Sequence, residues 1–254
     1  MRLVPSLNLV LSAAVRRFFR FYLNGKNRIR FGSDAPKWGE LVWVVPDEEM
    51  MFLTDNKPGA VFGVPKWKGT GRVINSDWPV EDACRIIELP KIRMCVEHWK
   101  NGVSWENTGI YERFMSEIRE SGQYRRYGFS GIEEVKARYQ NLDKVFEQAR
   151  QDGRLRREDE ITIDGFRGKA GYGSVHVGPS GTLYWSGGAQ HRLGIAYILQ
   201  VPMPARLGVV HVRGISRLRD LRRQELDFRR IQAGMGGEID LARERRVDPN
   251  IAKI

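Results

Sequence analysis

Thr182–Val212 (TLYWSGGAQHRLGIAYILQVPMPARLGVVHV) joins a strand pattern, a glycine pair, a His-Arg step, an apolar helical run and a second strand. That layout can build an anion site. Gly187 and Gly188 allow positive φ and close approach of backbone to a ligand, and the open amides at the start of the following helix favour phosphate or carboxylate. His191 adds a titratable donor or base, and Arg192 a permanently charged planar fork of donors. Gln190 can hydrogen-bond a ligand but cannot attack one. The same spacing also serves as a tight strand-to-helix turn with no ligand.

Other chemistry-bearing residues are dispersed. His176 and His211 fall in predicted strands, where a satisfied packing role competes with a ligand role. His98 lies beside Trp99, with Glu97 near enough in sequence to be its partner. Cys84 and Cys95 form no C-x-x-C or zinc-ligand spacing, and no H-E-x-x-H is present. A Mg²⁺ held mainly by bound phosphates needs only one or two carboxylates. For phosphoryl transfer the candidate bases are Glu133, Glu134, Asp159 and Glu160. An arginine run, Arg213, Arg217, Arg219, Arg222, Arg223, Arg229 and Arg230, could grip nucleic-acid phosphates. It reads equally as a solvated face, because Asp220, Glu225 and Asp227 are interleaved at helical spacing.

Several elements must position these groups. Ser130-Gly131-Ile132-Glu133 has the form of a capping box, Ser130 accepting from an open amide while Glu133 reaches back. The helix it starts carries the stripe Ile132, Val135, Tyr139, Leu142, Val145, Phe146 and Ala149, until Asp152-Gly153 stops it. Ser174–Val177 and Thr182–Trp185 flank Gly178-Pro179-Ser180-Gly181 as a β-hairpin. A helix over Gln190–Leu199, a strand over Ala205–Val212 and an Arg-rich helix from 214 to about Ile231 follow. Upstream, strands are expected at Leu41–Val45, Arg72–Ile74 and Arg85–Leu89, the last closed by Pro90. Residues 104–119 put Trp105, Ile110, Tyr111, Phe114, Met115 and Ile118 in helical register.

The chain has 254 residues, 41% of them hydrophobic, which suffices to bury a core. Its 42 Lys and Arg against 31 Asp and Glu give a net charge of +11. Seven of those cations, Arg2, Arg16, Arg17, Arg20, Lys26, Arg28 and Arg30, lie in residues 1–33, which hold no Asp or Glu. The rest of the chain is close to balanced and does not demand a polyanionic partner. Residues 7–23 place Leu7, Leu11, Ala14, Phe18 and Phe21 on one helical stripe, with Arg16, Arg17 and Arg20 away from it. The uncharged stretch is far shorter than the ~20 apolar residues of a spanning helix. Residues 1–30 therefore suit an anionic membrane surface, or docking on the protein's own body with the arginines in water.

Ser186-Gly187-Gly188-Ala189-Gln190-His191-Arg192-Leu193, followed by Val201-Pro202-Met203-Pro204-Ala205-Arg206-Leu207, resembles the signature stretch of the ParB/sulfiredoxin-like superfamily. With the helix over 130–151 the resemblance spans roughly Gly128 to Val212. His98–Thr108 (HWKNGVSWENT), taken with the Gly-Gly and His-Arg-Leu steps, is similar to a ParB-like family. The resemblance implies a nucleoside-phosphate site at the turn and helix N-terminus, with Gly187, Gly188, Gln190, His191 and Arg192 binding and His191 and Arg192 catalytic. Sulfiredoxins carry a catalytic Cys, and partition proteins a Glu, where this chain has Gln190, so neither chemistry transfers intact.

The expectations are then an α+β protein in which a ParB/sulfiredoxin-like domain with a small mixed sheet (128–213) follows an irregular β-containing lobe (31–127). A basic amphipathic helix (1–30) precedes them and an Arg-rich helical tail (214–254) follows. The expected ligand is ATP or CTP with Mg²⁺, for phosphotransfer to a small acceptor or for nucleotide hydrolysis. A noncatalytic DNA-binding module is the alternative. The expected location is cytoplasmic, or peripheral at the membrane through residues 1–30.

Overall fold

A computed structural model describes residues 7–53, 60–61, 64–79, 81, 83–123, 128–161 and 172–232. At its centre lies a mixed sheet whose spatial order is β1 (Leu41–Val44), β9 (Met203–His211), β7 (Ser174–Val177), β8 (Leu183–Ser186), β2 (Met51–Leu53) and β6 (Ala83–Arg85). β5 (Val73–Ile74) runs parallel to the end of β9, and β3 (Ala60–Val61) pairs with β4 (Val64–Pro65) apart from the main sheet. The hairpin β7–β8 is antiparallel, while β9 joins β7 and β2 joins β8 in parallel. The protein is therefore α+β, as its sequence indicates.

Side-chain alternation sorts the sheet into two faces. Phe52, Trp185 and Val210 enter the large core, whereas their neighbours Leu53, Tyr184 and Val209 join Trp78 in a smaller one. The helices over the larger face are α3 (Pro90–Trp99), α4 (Ile110–Ser121), α5 (Ile132–Asp152) and α6 (Gln190–Leu199). α3 and α6 pack closely because position 194 is glycine: a Cβ there would lie 3.2 Å from Cys95 Cβ and 3.3 Å from its Sγ. α7 (Arg217–Gln232) lies against β1 with Leu218 and Leu221 buried. α1 (Leu7–Phe31) precedes the sheet, and α2 (Lys66–Gly69) is a single turn beside β4.

The boundary expected at 127/128 does not divide two cores. β1 bonds to β9 and β2 to β8, so strands from 31–127 lie on both sides of β9 and the 174–186 hairpin in one sheet. One apolar cluster runs from Val42 to Leu221. Two short elements also differ from expectation. The strand expected at Arg85–Leu89 ends at Arg85 and gives way to a 3-10 turn at Ile86–Glu88, and Pro90 opens α3 instead of closing a strand. Proline suits a first helical turn, where its missing N–H would have no partner anyway. Residues 104–109 form turns rather than the start of a helix, and Gly109 at φ 77° marks where α4 begins.

Candidate functional site

β8 delivers the chain into the turn that precedes α6. Trp185 is fully buried, and its ring lies where a side chain at Gly173 would be: a Cβ there would sit 1.9 Å from the indole. The indole Nε1 donates to the Gly188 carbonyl at 3.0 Å, which ties the turn to the strand before it. Gly187 (φ 78°) and Ala189 (φ 61°) both adopt left-handed backbone. For alanine this costs roughly 1–2 kcal/mol. Ala189 is the N-cap of α6 and supplies no side-chain cap, so the first amides of the helix are not closed by a capping side chain.

His191 and Arg192 turn inward from this corner. His191 is 7% exposed, with its Nε2 3.1 Å from the Tyr139 hydroxyl of α5 and the two rings edge to face. Arg192 is 4% exposed, and its Nη2 donates to the Arg156 carbonyl. Its Nε is buried with no hydrogen-bond partner among the described residues. Burial pushes the guanidinium pKa down, opposed by Tyr172 and Glu158. Those two groups are joined, the Glu158 amide donating to the Tyr172 hydroxyl at 3.1 Å. Gly187, Gly188 and Gln190 are half-buried.

Arg156 links the corner to a charged loop that follows α5. A cavity of about 330 Å³ there is lined by Asp152, Arg154, Arg156 and Glu160. Arg154 donates to both Glu160 oxygens at 2.7 and 3.2 Å, and the Arg157 amide adds a third bond at 2.7 Å. These contacts, with Arg154 leading, hold the Glu160 carboxyl down at a pKa of about 2. Asp152 accepts from Arg156 at 2.6 and 3.3 Å. Two acids and two arginines are thus mutually neutralised, and Glu160 is a counter-ion too weakly basic to take protons well near neutral pH. Arg154, Arg156 and Tyr172 are not among the residues that the sequence singles out. The available signal was the charge run from Arg154 to Glu160 directly behind the Asp152-Gly153 stop.

The remaining candidate bases have structural duties or lie in solvent. The cap at the start of α5 is made by Glu134, not Glu133: its carboxylate accepts from the Ser130 amide (2.6 Å), the Ser130 hydroxyl (3.1 Å) and the Gly131 amide (3.3 Å). Those bonds, the Ser130 amide foremost, lower its pKa. Glu133 instead meets Lys136 one turn along, and Asp159 is exposed. Both cysteine thiols are pushed up by burial, Cys95 most strongly, so neither is an activated nucleophile.

Each remaining histidine has a place in the packing. Opposite His176, β9 carries an extra residue: Val175 pairs with Leu207 but Val177 with Val210. The bulge leaves the Val209 amide without a ladder acceptor, and His176 Nδ1 accepts it at 2.9 Å while Nε2 faces Ser186 Oγ at 2.8 Å. His211 accepts the Arg213 amide on Nδ1 at 3.2 Å beside Trp78. His98 meets Asp143 of α5, not Glu97 (3.1 Å), and the same carboxylate accepts the indole N–H groups of Trp99 and Trp105 at 3.0 Å each. His98 also stacks on Trp105 at 4.0 Å, so Asp143 ties α3, the 100–109 turn and α5 together.

On α7, Arg217 pairs with Asp220, and two arginines reach off the helix: Arg219 bonds to Asp34, and Arg222 to Glu40 and the Ala35 carbonyl. Arg213 and Arg223 are exposed, and the side chains of Arg229 and Arg230 lie outside the described residues. Among the described residues no group of three or more His, Cys, Asp or Glu is arranged to hold a metal ion, and no helix is long and apolar enough to cross a membrane. Comparison with family models, with curated proteins and with solved structures returns no match.

Proposed function

We propose that the protein binds nucleoside phosphates at the Gly187–Arg192 corner, with Mg²⁺ brought in on the phosphates. The observation that carries this reading is the buried Arg192 Nε, which has no hydrogen-bond partner among the described residues, in the first turn of a helix that lacks a side-chain cap. An unpaired donor on a buried cation is costly, and an anion offers it an acceptor. The strained backbone at Ala189 is consistent with a turn shaped for a task other than stability. In this reading the amides from Gly188 to Gln190 face phosphate oxygens, as open helix N-termini do elsewhere. Arg192 supplies fixed positive charge from beneath, and Tyr139 positions His191. Phosphotransfer to a small acceptor and nucleotide hydrolysis are the activities to assay.

Calorimetric titration and thermal shift with ATP, CTP and tripolyphosphate, each with and without Mg²⁺, test the proposal. A ligand at a hundred times its Kd should stabilise the protein by about 2.7 kcal/mol. Gly188→Asp puts a like charge on the turn and should weaken binding at least about tenfold, while Arg192→Lys, which keeps the charge, should weaken it less than Arg192→Met. No stabilisation by any of the three ligands, or equal binding by wild type and Gly188→Asp, would remove the site. A duplex mobility shift with a steep salt slope, unaffected by Gly188→Asp, would favour the DNA-binding alternative.

A further inference from the structure

The last turns of α1 dock on the body. Leu23 and Asn27 are buried; Asn27 Nδ2 donates to the Pro36 and Gly71 carbonyls at 2.8 Å each, and Asn24 accepts the Trp38 amide at 2.8 Å. Upstream, residues 14–22 are exposed apart from a half-buried Phe19. This projecting length carries large apolar side chains in water: Phe18 is 76% exposed, Phe21 82%, Tyr22 56% and Val15 53%, and further along Ile29 is 89% exposed.

At 3.6 residues per turn, Val15, Phe18, Tyr22, Gly25 and Ile29 fall within an arc of about 80°. That arc lies opposite Asn27, the centre of the docked side. Leu7 and Leu11 continue its register toward the start of the helix. Arg17 and Arg28 border the stripe on one side, Lys26 and Arg30 on the other. Beside Phe21 a groove of about 690 Å³ between the helix and the 32–37 turn is rimmed by Arg17, Arg20, Arg28 and Lys37. We infer that α1 lies in the plane of an anionic phospholipid bilayer, its apolar stripe among the upper acyl carbons and its flanking cations on lipid phosphates.

Charge selects this occupant over the others. A second copy would face seven cations with seven more, and residues 1–33 offer no acid to offset them. Nucleic acid would satisfy the cations but leave five large apolar groups in water. An anionic bilayer takes both faces at once, because apolar burial and attraction to the headgroups add. The pinned C-terminal turns then hold the folded body against the membrane surface.

The test is flotation of the full-length protein with phosphatidylcholine vesicles, with and without one-third phosphatidylglycerol, at low and high salt. Flotation with the anionic vesicles only, weakening with salt, is expected. Phe18→Ser with Ile29→Ser should lower the bound fraction at least about tenfold without changing Tm, since both side chains are solvent-exposed in the free protein. Equal binding to neutral vesicles, unchanged binding by the double variant, or no flotation would overturn the inference. It would equally fail if duplex or RNA bound in place of vesicles, or if the protein were an oligomer that the double variant dissociates.

Discussion

His176 and Gly208 act as one unit within the sheet. A Cβ at position 208 would lie 2.5 Å from both Nδ1 and Cε1 of the imidazole, so glycine is the residue that leaves room for the ring accepting the Val209 amide. Gly208→Ala is expected to cost about 2–3 kcal/mol through overpacking. His176→Leu should cost about 1–3 kcal/mol, because it leaves the Val209 amide buried and unpaired. Their double variant should be less destabilised than the sum, since alanine no longer meets the ring; urea denaturation of the four proteins checks this coupling. Nothing in the local sequence marks His176 as a bulge-filler, because the residue it serves is 33 positions away. Asp143 is the same kind of case: its three ring-nitrogen partners sit 38 to 45 residues upstream.

Helices and strands were legible where a periodic apolar pattern coincided with a local stop. α6 spans Gln190–Leu199 as its pattern indicates, and six of the seven stripe residues of α5, from Val135 to Ala149, are buried. α1 runs on through Asn24-Gly25, beyond the stripe read over residues 7–23, to Phe31. It continues because Asn24 and Asn27 bond to the body, a gain that no helix propensity records. Asn27→Ala should therefore release the helix from the core while the sheet stays folded. Hydrogen exchange is the measurement: protection should drop across residues 20–31 and stay unchanged in β7 and β8, and equal loss in both would refute independent docking. α3 is the least legible of these helices because Pro90 reads as the end of a strand, although proline fits the first turn of a helix as well.

Across the whole molecule the ionisable groups set an acid limit to stability. Burial first, and Arg213 second, lower the His211 pKa below 6.5. The unfolded chain then binds the proton before the folded one does, so stability declines as pH falls through about 6.5. Glu160, held at about 2 against 4.5 unfolded, adds stability that is present above pH 4.5 and lost between 4.5 and 2. Glu160→Gln should cost about 1 kcal/mol at pH 7 and converge with wild type near pH 2. Chemical denaturation at pH 7, 4.5 and 2.5 reads this, and a gap undiminished at pH 2.5 would mean the pair contributes through packing instead. The α+β class, the hairpin, the Gly-Gly turn and the helix behind it could be read along the chain, since turn chemistry and periodicity depend on neighbours in sequence. Which strands share the sheet, that 41–85 interleaves with 174–211, and that His191 and Arg192 face inward could not. Those outcomes are settled by contacts between distant residues, where an arginine's best acceptor is the carbonyl of a loop 36 residues upstream.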